Sequence, residues 1–320
     1  METRDFRHIS VLLHEAVAAL VTDPGGCYVD GTFGRGGHSR VLLEQLGPQA
    51  RLLVMDKDPA AIAVARELQA VDPRVSVWHG SFRELPQAMA AQGMAAARGV
   101  LLDLGVSSPQ LDDADRGFSF SKDGPLDMRM DSSGGVTAAQ WLMQAGEQEL
   151  ADVLYQYGEE KHSRRMARAI VAARAVTPLT STLQLAEIVK RANPAWERHK
   201  HPATRAFQAI RIYINQELAD LEAALPRIVD ALLPAGRLVV ISFHSLEDRI
   251  VKRFFQREAK GDDFPPGVPV TVADLKPRLR LVGKPLLGGA EAEKDNVRAR
   301  SAVMRVAEKL PTGPSERMRP

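Results

Sequence analysis

From Gly31 to Gly37, four of seven residues are glycine, inside the run Asp30-Gly31-Thr32-Phe33-Gly34-Arg35-Gly36-Gly37-His38-Ser39. Residues without a Cβ let a backbone turn tightly and approach a bound molecule closely. The run is entered from Cys27-Tyr28-Val29-Asp30, which reads as a short buried strand after a Pro24-Gly25-Gly26 turn. It is left through residues 39–46, whose apolar positions have helical spacing and which stop at Gly47-Pro48. Strand, glycine loop and helix start in that order point helix amides at whatever the loop holds, which suits a nucleotide-type cofactor. Asp56 ends the next strand, Arg51-Leu52-Leu53-Val54-Met55-Asp56, twenty residues after Gly36. A carboxylate there can accept from both ribose hydroxyls of an adenosine, in NAD or in S-adenosylmethionine alike.

The spacing Asp30-x-x-x-Gly34-x-Gly36 departs from the dinucleotide pattern and resembles the first motif of S-adenosylmethionine-dependent methyltransferases. A second group of polar residues, Asp103, Ser107, Ser108 and Gln110, lies in Leu101-Leu102-Asp103-Leu104-Gly105-Val106-Ser107-Ser108-Pro109-Gln110. On a methyltransferase sheet this is the fourth strand and the loop beside the reactive methyl. Amino-group methyltransferases resemble one another there in a short polar-Pro-Pro-aromatic loop. Ser107-Ser108-Pro109-Gln110 matches in part, lacking the second Pro and the aromatic. An exocyclic base amine is a weak nucleophile because its lone pair is delocalised into the ring. Acceptors on its hydrogens favour the pyramidal nitrogen and take the proton afterwards, and orientation supplies much of the rest. Asp103, Ser107 and Ser108 are candidates for that work; the two serines are equally suited to capping the next segment. Phe82, after the strand 75–79, suits an adenine face or a core position.

Charge is segregated farther along the chain. Residues 161–211 hold 11 Lys/Arg and two acids, a balance of +9, and residues 111–160 hold 11 acids and three bases, a balance of −8. The two halves can neutralise each other, but the basic one, with Arg164, Arg165, Arg168, Lys200 and Arg205, also suits a polyanion such as RNA.

Elements that could position these groups alternate: strands at 27–30, 51–56, 75–79 and 100–104, with helices at 59–69 and 85–96. Before them, residues 8–17 read as a helix capped by Ser10. Such alternation argues for a parallel sheet with right-handed crossovers, whose ligands sit at the strand carboxyl ends. From Gln110 to about Tyr213 only helical patterns appear, the last of them at 202–225. Strand character returns at 237–243 after Pro234-Ala235-Gly236. Residues 262–290, rich in Pro and Gly, read as a mobile loop, and 300–307 as a final antiparallel strand. The expected division is 1–109 and 213–320 for a methyltransferase domain, and 110–212 for a helical substrate-recognition insert. A single cysteine, Cys27, excludes an internal disulfide and fits a cytoplasmic protein. No apolar run reaches membrane-spanning length. His38 has no second His, Cys or acid at a ligand spacing beside it, so no metal is expected.

Several long blocks carry a family resemblance. They include residues 30–39, residues 102–112, Arg116-Gly117-Phe118-Ser119-Phe120, Gly124-Pro125-Leu126-Asp127-Met128-Arg129-Met130, residues 201–209 and Ser242-Phe243-His244-Ser245-Leu246-Glu247-Asp248-Arg249. This chain resembles the bacterial 16S ribosomal RNA cytosine-N4 methyltransferases, the RsmH or MraW family, from about residue 8 to residue 307. The resemblance implies a Rossmann-like α/β methyltransferase sheet with an all-helical insert between the fourth and fifth strands. It implies S-adenosyl-L-methionine as cofactor and a cytidine of the small ribosomal subunit as acceptor. Family cofactor contacts carry over to Gly36, Gly37, His38, Asp56, Phe82, Asp103 and Gln110, with Gly34 allowing the loop its close approach. A DNA amino-methyltransferase would share the core, but with a fuller Pro-Pro-aromatic loop and a dedicated recognition domain.

Overall fold

A computed structural model of the chain describes residues 10–194, 201–262, 275–288 and 297–311. The chain divides into two compact units, Met1–Gly105 with Leu218–Pro320, and Val106–Glu217.

In chain order the first unit runs α1 (Leu13–Leu20), β1 (Cys27–Asp30), α2 (Gly37–Gln45), β2 (Arg51–Asp56), α3 (Pro59–Val71), β3 (Val75–His79), α4 (Leu85–Ala91) and β4 (Ala97–Asp103). The second holds α5 (Ser108–Asp112), α6 (Ala138–Gln144), α7 (Glu147–Gly158), α8 (Ser163–Val176), α9 (Thr182–Ala192) and α10 (Ala203–Asn215). The first unit resumes within α11 (Glu217–Ala231), followed by β5 (Leu232–Ser242), α12 (Ser245–Lys260), β6 (Leu279–Leu281), β7 (Leu286–Leu287) and β8 (Val303–Lys309).

The sheet of the first unit has the order β3-β2-β1-β4-β5-β8-β6, with β7 also on β8. Pairs among β1 to β5 are parallel, and β8 runs antiparallel to β5, β6 and β7. The order reverses between β1 and β4, so their carboxyl ends flank the crevice where such sheets bind ligands. β1, β2, β4 and the second half of β5 are buried on both faces, as their near-continuous apolar runs require. On β2, Leu52 and Val54 join a core with α1, α2 and α3, while Leu53 and Met55 join the opposite core with α4, α11 and α12. That two-sided burial follows from the period of two along a strand.

Four expectations are corrected. Helix α1 starts at Leu13, and Leu12 before it is left-handed at φ 53° with no side-chain cap, so Ser10 does not cap it. β5 begins at Leu232, not at 237, and the Pro234-Ala235-Gly236 run is a bulge within it. Pairing with β4 jumps from Ala97 with Leu232 to Gly99 with Arg237, and Ala235 takes φ 60°. Described residues 275–288 contain β6 and β7 rather than loop alone, paired to a distant strand; residues 263–274 lie outside the described residues. Residues 202–225 form two helices, α10 and α11, separated by Gln216 at φ 52°.

The second unit is helical, and its described residues contain no strand, only an isolated bridge between Pro125 and Ser181. Apolar faces of α6 to α10 form one core around Trp141, Leu150, Leu154, Met166, Ile170, Val189 and Phe207. Asn215 fastens a loop to it: its Nδ2 donates to Met128 O (2.7 Å) and its Oδ1 accepts from Met130 N (2.6 Å).

Candidate cofactor-binding site

The glycine loop is built on Asp30, which is 1% exposed at the end of β1. Its Oδ1 accepts from Thr32 N at 3.1 Å and its Oδ2 from Ser39 Oγ at 2.6 Å, so one carboxylate holds both the start of the loop and the start of α2. Burial pushes the Asp30 acid above the usual carboxylate range, and the Ser39 hydroxyl opposes the shift. Thr32 Oγ1 accepts from Asp103 N at 2.6 Å, joining the loop to the end of β4. Neither Thr32 nor Ser39 was singled out by sequence reasoning, although both stand inside the motif.

The glycines are needed where they stand. Gly34 and Gly36 have φ of 56° and 76°, conformations that L side chains rarely adopt. A Cβ on Gly36 would lie 2.6 Å from Cζ of Phe33, and one on Gly37 would lie 2.1 Å from Oγ of Ser10. Gly36 is also the N-cap of α2 and offers its first amides no side-chain acceptor. His38, on the first turn, is 4% exposed, and burial pushes its imidazole below the ordinary value, toward the neutral form. Its Nδ1 lies 3.7 Å from Oδ2 of Asp103, too far for a hydrogen bond. Among the described residues no group of three or more His, Cys, Asp or Glu could hold a metal ion.

Asp56 comes into the same site. Its Oδ2 accepts from Gly34 N at 2.7 Å and its Oδ1 from Asp58 N at 2.8 Å. The Lys57 amide also donates to this carboxylate, and an ionised carboxylate has about four acceptor positions, so acceptor capacity remains for a ribose hydroxyl. Burial pushes this acid up to about 6, against the pull of those backbone donors. Phe82 opens a single 3₁₀ turn, Phe82–Glu84, and a Cβ on Gly31 would come within 3.1 Å of its Cβ. Gly34, Gly36, Gly37, His38, Asp56, Phe82 and Asp103 thus all belong to the first unit and its strand ends.

The remaining candidates lie in the second unit. Ser107 is the N-cap of α5, and Gln110, 7% exposed, accepts from Ser107 N through Oε1 at 2.8 Å. Ser108 is the first residue of that helix. Arg164, Arg165 and Arg168 stand exposed along α8, and Arg205 is half-buried on α10. Arg168 Nε lies 3.5 Å from Oε1 of Glu147, in the acidic half, but its side chain is 77% exposed. Such a pair is worth at most about 1 kcal/mol. Lys200 lies outside the described residues.

A glycine loop open to close approach, an uncapped helix start, and a strand-end carboxylate with spare acceptor capacity fit the amino-acid and adenosine parts of S-adenosylmethionine. Together with the sheet order they define a methyltransferase that uses this cofactor. The match to known proteins is specific. The model of the MraW methylase family matches residues 5–310, and the chain belongs to that family. It is 57% identical over 310 residues to the Ribosomal RNA small subunit methyltransferase H of Chromohalobacter salexigens, covering 96% of this chain and 92% of that protein. Among solved structures, it is similar to an rRNA methylase from Streptococcus thermophilus, with a TM-score of 0.41 and 9% identity over 92% of each chain.

Proposed function

We propose that the chain methylates the exocyclic N4 amine of a specific cytidine in the decoding region of 16S ribosomal RNA, on the small ribosomal subunit, in the cytoplasm and without a metal. The observation that carries this reading is 57% identity, over nearly the whole chain, to a ribosomal RNA small subunit methyltransferase. The glycine cradle and Asp56 support it at the level of residues.

S-adenosylmethionine, when bound, supplies an electrophilic methyl group on a sulfonium sulfur. Gly34, Gly36, Gly37 and His38 receive its amino-acid part, Asp56 its ribose, and Phe82, Asp103 and Gln110 the rest. Asp103, Ser107 and Ser108 act on the acceptor by taking hydrogen bonds from the N4 amine, turning its lone pair outward and passing on the proton released after transfer. In this reading residues 1–109 and 213–320 form the methyltransferase domain, and residues 110–212 the recognition insert. Arg164, Arg165, Arg168, Lys200 and Arg205 contact RNA phosphates there.

The test is to incubate the protein with S-adenosylmethionine and small subunits from a strain lacking this activity, then digest the RNA for mass spectrometry. N4-methylcytidine at one decoding-region position is the expected product. A methyl group only on another atom, base or nucleic acid would overturn the assignment.

A further inference from the structure

Helix α11 buries a charge that its fold does not require. Its inward residues are otherwise apolar (Leu221, Ala224, Leu225, Ile228 and Val229), yet Asp220 beside them is 5% exposed. Removing a carboxylate from water costs several kcal/mol unless it is well paired, and an apolar residue there would often serve stability equally well.

The partners of Asp220 come from the ends of two strands. Lys57 Nζ lies 2.6 Å from its Oδ2, and Ser81 Oγ donates to the same oxygen at 2.8 Å. Arg83 Nη1 lies 3.5 Å from Oδ1, on a side chain 47% exposed, where solvent screens it. Lys57 and Ser81 are therefore the partners that matter most. Each is the immediate chain neighbour of a proposed cofactor contact: Lys57 follows Asp56, and Ser81 precedes Phe82. Ser81 Oγ also accepts from Arg83 N at 3.1 Å, capping the turn that begins with Phe82. Gly80 N donates to Asp56 O at 2.9 Å, so the two strand ends are already joined by backbone.

We propose that Asp220 is a positioning residue of the cofactor site, clamping the ends of β2 and β3 so that Asp56 and Phe82 are presented together to the adenosine half. The inference rests on the reading of Asp56 and Phe82 as cofactor contacts. A clamp of this kind acts by preorganisation, so it affects binding and not the chemical step.

The experiment compares wild type, Asp220→Asn, Asp220→Ala, Ser81→Ala, the double variant Asp220→Ala/Ser81→Ala and Asp56→Ala. Two quantities are read: the calorimetric Kd for S-adenosylhomocysteine, and the single-turnover rate on small subunits at saturating S-adenosylmethionine. Asp220→Ala is expected to raise Kd about tenfold, equivalent to about 1.4 kcal/mol. Asp220→Asn should lose less, because it keeps an acceptor for Ser81. The single-turnover rate of the Asp220 variants should stay within about twofold, and removing Ser81 should weaken binding less in the Asp220→Ala background than in wild type, as expected for residues that share one contact. Should Asp220→Ala fail to fold, Asp220→Asn and Ser81→Ala, each removing less, carry the same comparison. Normal Kd in the folded Asp220 variants, with binding lost in Asp56→Ala, would overturn the clamp alone. Normal Kd in Asp56→Ala as well would overturn the cofactor reading, and the clamp with it. A rate that falls while Kd holds would assign Asp220 to chemistry and likewise overturn the proposal.

Discussion

The backbone N–H of Gly34 donates to Oδ2 of Asp56 across 2.7 Å, linking residues 22 apart in sequence. The glycine loop after β1 and the acid at the end of β2 are therefore one device. A loop that shifts takes its hydrogen bond from the carboxylate, and a carboxylate that loses its charge weakens its hold on the loop.

A pH dependence follows. Asp56 is pushed up to about 6 by burial. Hydroxyls of a bound ribose stabilise the ionised form, so the acid accepts them fully only well above pH 6 and progressively fails as pH falls through it. At pH 5 about ten elevenths of the acid is protonated, and cofactor Kd should be about tenfold weaker than at pH 7.5. The linkage to stability has the opposite direction. The folded-state value lies above the unfolded one, so this group's favourable contribution is complete below about 4 and is lost as pH rises through about 6. Calorimetry from pH 5 to 7.5 checks the first effect; a Kd that does not change with pH would remove the Asp56 carboxylate from the binding step.

Gly36→Ala tests the cradle. The new Cβ would have to share φ 76° with a position 2.6 Å from Phe33 Cζ. The backbone alone costs about 1–2 kcal/mol, and Phe33 must also move. Lower melting temperature and weaker cofactor binding should appear together, whereas Gly93→Ala, at φ 63° with nothing near its Cβ, should lower only stability.

Local signals explain what was legible before the structure. The parallel core could be read because Leu52-Leu53-Val54-Met55 and its counterparts are continuous apolar runs with turn residues between them. The glycine loop could be read because Gly34 and Gly36 meet backbone demands that other residues rarely can. What escaped depends on distant partners or carries no local mark. β6 and β7, three and two residues long, exist through their pairing with β8. The break at Gln216 has neither Gly nor Pro to announce it. Pro234-Ala235-Gly236 has a turn's composition, yet pairing resumes beyond it at Arg237. Asp220 looks in sequence like one acid on a solvated helix face, and its burial depends on Lys57 and Ser81, more than a hundred residues away.

Replacing both Ser107 and Ser108 by Ala separates capping from catalysis. Ser107 caps α5, and losing that cap should cost about 1 kcal/mol of local stability. If the pair also acts on the target amine, the single-turnover rate should fall by about tenfold or more, in the range of general acid–base effects. Cofactor affinity should change far less. A double variant with the wild-type single-turnover rate would leave the serines as caps alone.

The basic face of α8 makes a quantitative demand on RNA binding. A target amine must leave the base stack to be methylated, and extruding a nucleotide costs a few kcal/mol. Cations gripping the neighbouring phosphates can compensate for that loss. Arg164 and Arg165 are exposed, and Arg168 shares only a loose surface pair with Glu147. Charge reversal at all three should weaken binding to small subunits and flatten its salt dependence, by roughly 0.7 to 0.9 in the log–log slope for each phosphate no longer neutralised. Reversal at Arg168 also sets two acids beside each other at Glu147, so Arg168→Gln serves as the control for local repulsion. Cofactor Kd should be unchanged in every variant, because on this reading these residues bear on RNA and not on the cofactor. An unaltered slope in the triple variant would mean that α8 serves to balance the acidic residues 111–160 and that RNA is held elsewhere.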